Sequence, residues 1–448
     1  MLREQSRDDR PDCSLQSDIW PSDPVLELQP MKRPNYPQAN LFNLCRSRDF
    51  CSIALSSIVV LILALSLSGC PRILSPLVTP RYLFTSSLFP RKMSYQQELL
   101  VAQLAVQRAA ILTQKVFYEK TKGTLSKDDF SPVTKGDFGA QALIIQAIRA
   151  NFPQDEVVGE EDADSLREND ALRNEMWNLV KDIKLTDAES DKVIGGPFKN
   201  ETEMLDALDG GKSPGGPKGR IWALDPIDGT KGFLRGGQYA VCLGLIEDGD
   251  VKVGVIGCPN LPLDDSAPLS AEIGQSGAAG TETGVLFSAV KGQGATSRPL
   301  SDGAVREGKA ISMRPVTDIT KACFCEGVEA GHSAQDDNAE VARRLGINSP
   351  SVRLDSQAKY CSIARGAGDI YLRLPVRADY EEKIWDHAAG DLIVREAGGE
   401  VTDITGNRLD FTKGRKLSAN RGVVAAPKSI FEQVINAVRA VYAAKASI

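Results

Sequence analysis

Two aspartates on either side of Pro226-Ile227, in the run Asp225-Pro226-Ile227-Asp228-Gly229-Thr230, are the residues of this chain best suited to chemistry. They follow Arg220-Ile221-Trp222-Ala223-Leu224, an apolar run that reads as a buried strand. Pro226 is expected to stop strand pairing and Gly229 to allow a tight turn. Carboxylates three residues apart on such a turn can converge on one point. Left bare there, they repel each other and resist burial. A hard divalent cation relieves both problems, and carboxylate, carbonyl and water oxygens are the ligands Mg²⁺ prefers. The pattern predicts a metal-dependent site whose chemistry is on phosphate.

Three further acidic places share this setting beside apolar sequence: Asp137, the pair Glu160-Glu161, and Asp386 in Trp385-Asp386-His387-Ala388-Ala389-Gly390. Singly, each has a plainer reading, as a helix N-terminal residue, a solvated turn and an N-cap respectively. Together with the Asp225 turn they become candidate ligands. Other classes are disfavoured. The nine cysteines contain no Cys-x-x-Cys pair and there are only two histidines, which argues against zinc. Gly211-Lys212-Ser213 resembles the end of a P-loop, but Asp206 stands where the first glycine is required. A formal charge of −6 argues against a non-specific nucleic-acid binder. Cys242, in an alternating apolar run, reads as core, and the cysteine usage fits a reducing, cytoplasmic setting without disulfides.

The elements around these residues suggest how they are carried. Residues 1–92 form an extension with an apolar run at 53–67, flanked by basic residues on both sides. Three readings stand for it: a single-pass membrane anchor, a cleaved targeting segment, or a poorly ordered extension ahead of a start at Met93. Helical spacing predicts one helix from Tyr95 to about Lys120 and a second from Asp137 to Phe152. Val157-Val158 reads as a short strand, residues 163–219 as a surface excursion, and Tyr239–Ile246 with Val251–Gly257 as a hairpin about Glu247-Asp248-Gly249-Asp250. Val285–Val290 and Ile311–Arg314 read as further strands. After about residue 316, short strands alternate with helices, as in a layered α/β domain. The expected division is 93–312, rich in antiparallel strands, and 313–448, mixed α/β. The 448 residues, 42% hydrophobic, are ample for both.

The Glu-Glu turn, the Asp-Pro-Ile-Asp-Gly-Thr turn and the Trp-Asp-x-Ala-Ala-Gly helix start together resemble the inositol monophosphatase superfamily. Within it the chain is most similar to the 3′(2′),5′-bisphosphate nucleotidase family. That similarity rests on Lys231-Gly232-Phe233-Leu234-Arg235-Gly236, Glu329-Ala330-Gly331-His332-Ser333, Leu354-Asp355-Ser356-Gln357-Ala358-Lys359-Tyr360 and Tyr371-Leu372-Arg373-Leu374-Pro375. The resemblance spans about Met93 to Ala440. It implies an α/β/α/β/α layered sandwich and two to three Mg²⁺ ions. Glu160, Asp225 and the Ile227 carbonyl would hold one ion; Asp225, Asp228 and Asp386 would hold a second. Asp137 and Thr230 would orient the attacking water. Gly229 and Thr230 would offer backbone N–H groups to phosphate. Lys359, Arg373, Ser356 and His332 would receive the rest of a small nucleotide, and Arg235 is read as structural. The implied activity is Li⁺-sensitive removal of the 3′-phosphate from adenosine 3′,5′-bisphosphate and 3′-phosphoadenosine 5′-phosphosulfate, in support of sulfate assimilation, by a monomer. Two rivals remain: a phosphatase of inositol phosphates with the same metal ligands, and a non-catalytic ligand-binding homologue.

Overall fold

A computed structural model describes residues 94–121, 132–267, 269, 282–329, 331, 333–377 and 379–446. The 1–92 extension with its apolar run, and His332, lie outside them. No helix among the described residues is long and apolar enough to cross a membrane.

Helices α1 (Gln96–Thr121) and α2 (Pro132–Asn151) pack side by side over one core, burying Leu104, Leu112, Phe117, Leu143 and Ile148. Helix α2 starts five residues before the expected Asp137. Proline suits a first helical turn, where its missing N–H costs no bond. Asp137 therefore sits inside the helix, not at its start. Strand β1 (Glu156–Gly159) follows as expected.

The segment read as a surface excursion is instead part of the core. It forms α3 (Asp164–Glu168), α4 (Asp170–Val180), α5 (Ala188–Val193) and α6 (Glu201–Leu208). Asn169, Asp187 and Asn200 cap the last three through side-chain oxygens. Leu172, Met176 and Val180, four apart on α4, reach the same core as α1 and α2. Arg173, Asn174 and Glu175 mask the first interval, and Trp177 and Leu179 blur the second with further apolar side chains.

Strand β2 (Arg220–Asp228) corrects a second expectation, because it continues through Pro226. Helix α7 (Thr230–Arg235) leads on to β3 (Ala240–Glu247). β2 pairs with β3 at Asp225↔Cys242 and next at Asp228↔Ala240, so three steps on β2 oppose two on β3. Proline is tolerated at such a bulge because its missing N–H faces no partner. Alternation alone would put residues three apart on opposite faces of a strand. The extra residue turns Asp225 and Asp228 to the same face.

The β3–β4 hairpin forms as read, with β4 (Asp250–Pro262) reached through Asp248 and Gly249 at φ 51° and 78°, the left-handed pair a two-residue turn needs. Strands β5 (Thr283–Val290), β6 (Ala295–Pro299) and β7 (Lys309–Ile311) complete a seven-stranded sheet in sequence order. Only β1–β2 is parallel in it.

A second, five-stranded sheet uses β8 (Phe324–Glu326), β9 (Val352–Arg353), β10 (Ile370–Arg373), β11 (Gly399–Thr402) and β12 (Val423–Pro427), ordered β11-β12-β10-β8-β9. Helices α9 (Ala358–Ala364) and α10 (Ala388–Glu396) lie between the sheets and are nearly all buried, while α8 (Gln335–Leu345) and α11 (Phe431–Ala446) cover the far face. Gly254 lets α10 come close, since a Cβ there would stand 2.7 Å from the Ala389 carbonyl oxygen. The result is the expected α/β/α/β/α sandwich.

Candidate active site

One cavity of about 360 Å³ is lined by Glu160, Asp225, Ile227, Asp228, Gly229, Thr230, Ser356, Lys359, Arg373 and Asp386. Residues up to 226 positions apart in the chain, Glu160 and Asp386, meet there. The seam runs from the first sheet to α9, β10 and the turn before α10. Asp137 is buried next to this cavity without lining it. His332 lies outside the described residues.

Each acidic group is held by a local device. Glu160 follows β1 on a turn fastened to α2 by buried Gln141, which donates to Glu161 O (2.6 Å) and accepts from Glu161 N (3.0 Å). Arg415 donates to the carbonyls of Gly159, Gly211 and Ser213 and stacks on Trp385, 4.9 Å from its ring centre. That contact ties the Glu160 turn to the Asp386 turn. Asp228 accepts the backbone N–H of Gln357. Gly229, at φ 87°, packs on Ser356, where a Cβ would come within 2.9 Å of the Ser356 Cβ.

The electrostatics are those of a site short of positive charge. Burial, then Glu160, Asp228 and Asp386, push the Asp225 carboxyl well above its ordinary range. Burial and then Asp386 raise Asp228 to about 6, and burial, then Asp386, Glu161 and Asp228, raise Glu160 to about 7. Burial also raises Asp386, against the pull of Arg373. Asp137 is pushed well up by burial and by Glu161 and Glu160. Asp137 Oδ1 and Asp225 Oδ1 are buried and have no hydrogen-bond partner. Carboxylate oxygens in that state are costly unless a cation or proton meets them. The donor set, all oxygen and crowded, fits a hard divalent cation.

A different trio, Glu382, Asp386 and His387, also has ligand atoms within 4.8 Å of one another. Its acceptors are already engaged. Glu382 takes Arg373 Nε at 2.9 Å and His387 Nε2 at 3.3 Å, and His387 Nδ1 meets Tyr360 Oη at 2.8 Å. Arg373 holds the Glu382 carboxyl down to about 2 against its burial. That network braces Arg373, which also reaches Asp386 Oδ2 at 3.4 Å.

The cationic side of the cavity is Lys359, Arg373 and Lys231. Lys359 Nζ is buried and donates to Ser356 O (2.8 Å) and Leu354 O (3.3 Å). An ammonium has three donors, which leaves one for a ligand. Arg235 forms ion pairs with Glu329 and Asp355. Sequence reasoning missed Gln141, Arg415 and the bonding of Gln357. Gln357 lay inside a motif already singled out. A glutamine on the apolar side of α2 was the only sign of Gln141, and Arg415 gave none.

This fold, with an acidic cluster at the seam of two sheets, defines a class of phosphatases, and the chain matches the inositol monophosphatase family over residues 95–443. The chain belongs to that family. Two relatives named 3′(2′),5′-bisphosphate nucleotidase narrow the kinship. One, from Emericella nidulans, is 73% identical over 349 residues, covering 78% of this chain and 99% of its own. The other, from Schizosaccharomyces pombe, is 49% identical over 354 residues, covering 78% and 97%. Among solved structures, Mycobacterium tuberculosis SuhB aligns at 20% identity with a TM-score of 0.46, over 77% of this chain and 96% of its own.

Proposed function

We propose that this protein is a 3′(2′),5′-bisphosphate nucleotidase, hydrolysing the 3′-phosphate of adenosine 3′,5′-bisphosphate to AMP and phosphate, and accepting 3′-phosphoadenosine 5′-phosphosulfate. The observation that carries the reading is the meeting of Glu160, Asp225, Asp228 and Asp386 in one cavity with Lys359 and Arg373 at its other side. Glu160, Asp225, Asp228, Asp386 and the Ile227 carbonyl would hold two Mg²⁺ ions, with a third, weaker one near Glu160. Bound there, such ions supply hydroxide near neutral pH and neutralise charge on the phosphoryl oxygens.

The chain's own groups do the rest. Asp137 and Thr230 orient the attacking water, and Thr230 relays its proton. The N–H groups of Gly229 and Thr230 receive phosphate oxygens. The spare Lys359 donor and the Arg373 guanidinium receive the 5′ group, with Ser356 and His332 as hydrogen-bonding partners. The enzyme acts as a Li⁺-sensitive cytoplasmic monomer that clears a by-product of sulfate assimilation.

Phosphate release measured side by side from adenosine 3′,5′-bisphosphate and inositol 1-phosphate tests the choice. At least a tenfold preference for the nucleotide is expected, and the reverse preference would refute it.

A further inference from the structure

Gln357 hydrogen-bonds to both the Asp228 side and the Asp386 side of the acidic cluster. Its backbone N–H donates to Asp228 Oδ2. Its side-chain amide spans the other half: Nε2 donates to Trp385 O at 2.8 Å, and Oε1 accepts from Gly390 N at 3.0 Å. Those two backbone groups bracket Asp386, one just before it and one on the first turn of α10. Gln357 is 3% exposed, so water does not readily replace these bonds. The amide fits one way round, because its NH₂ must face the carbonyl and its oxygen the N–H. The fit is close: a Cβ at Gly390 would stand 3.0 Å from Gln357 Oε1.

We infer that Gln357 is a positioning residue that sets the spacing of Asp228 and Asp386 and so the affinity of the site for its cation. Asp228 sits on β2 and Asp386 on the turn before α10, two elements that no backbone ladder joins. Both carboxylates face one cavity, where like charges repel. A neutral amide can bridge their elements without adding charge to the cluster. Partners of this kind, which orient ligands without touching the ion, typically change metal affinity or activity by about 10–100-fold.

This inference rests on reading the carboxylates as a cation cage. Its test is Mn²⁺ binding to metal-free protein, followed by electron paramagnetic resonance, beside steady-state kinetics. Gln357→Met keeps the length of the side chain and removes both amide bonds. It is expected to weaken Mn²⁺ about tenfold and to lower kcat, with KM for nucleotide changed less than twofold. Gln357→Asn keeps a neutral amide on a stem one methylene shorter, too short to hold both Trp385 O and Gly390 N, and is the second variant should the methionine form not fold; the same loss of Mn²⁺ affinity is expected. Gln103→Met, which loses a buried bond to Ser288 Oγ between residues that do not line the cavity, is the control and should bind Mn²⁺ as the parent does. Parent-like Mn²⁺ affinity in a folded Gln357 variant would overturn the inference alone. Absence of Mn²⁺ binding in the parent would overturn the cage reading and the inference with it.

Discussion

Removing the cation should make the folded protein lose stability as pH rises across neutrality, the opposite of ordinary acid denaturation. Asp228 has its pKa raised from an ordinary 3.8 to about 6, and Glu160 from 4.5 to about 7. A carboxyl with a raised folded-state pKa binds its proton more tightly when folded. Stability is therefore highest below the unfolded pKa and is lost as pH rises through the folded one. For Asp228, going from about pH 5.5 to about pH 7.5 costs on the order of 1 kcal/mol by linkage. Glu160 would add on the order of 2 kcal/mol on the same basis, but its residue stands at an exposed rim and solvent screening cuts that to about 1 or less. The sum is about 1–2 kcal/mol. Glu382, held at about 2, titrates far below this window and cannot mask the trend.

The assay is urea unfolding in EDTA at the two pH values, repeated with excess Mg²⁺ and with Asp228→Asn. Mg²⁺ should abolish the decline, since a ligand that binds only the folded state adds stability that grows with the deprotonated sites it finds. Asp228→Asn should remove on the order of 1 kcal/mol of it. A metal-free protein equally or more stable at the higher pH would refute the view that these carboxylates crowd one another without compensation.

Three other outcomes are expected. Asp225→Asn should abolish phosphate release while leaving far-UV circular dichroism unchanged, because it removes one buried charge and little volume; normal turnover would contradict the cage. Lys359→Ala should weaken adenosine 3′,5′-bisphosphate more than 3′-AMP in competition assays; equal losses would mean that the lysine does not meet the 5′ group. Gly232→Ala should lower stability by about 1–3 kcal/mol in urea melts, since its Cβ would come within 2.1 Å of the Gln238 carbonyl oxygen; a neutral effect would place α7 differently.

Much of this protein is legible in its sequence. The Asp225–Thr230 turn, the Glu160 pair and Asp386 stand out because acidic residues interrupt apolar runs at element ends. The β3–β4 hairpin is written locally in Asp248-Gly249, whose turn depends only on adjacent residues. The core role of α4 was hidden because its apolar residues sit in a charge-rich stretch, with Arg173 and Glu175 between Leu172 and Met176 and Lys181-Asp182 directly after Val180. Strand β9, two residues long, carries too little pattern to be seen before its neighbour β8 is placed beside it.

What the sequence determined by itself is the chemistry on offer: an oxygen-rich, histidine-poor set of candidate ligands in turns, and the motifs that mark the family. Only the tertiary structure decided how those carboxylates face one another. The bulge at Pro226 turns Asp225 and Asp228 to one side, and that depends on pairing with β3. Gln141, Arg415 and Gln357 fix the turns through bonds to backbone groups distant in the chain, and a backbone carbonyl leaves no mark in the identity of the residue that carries it.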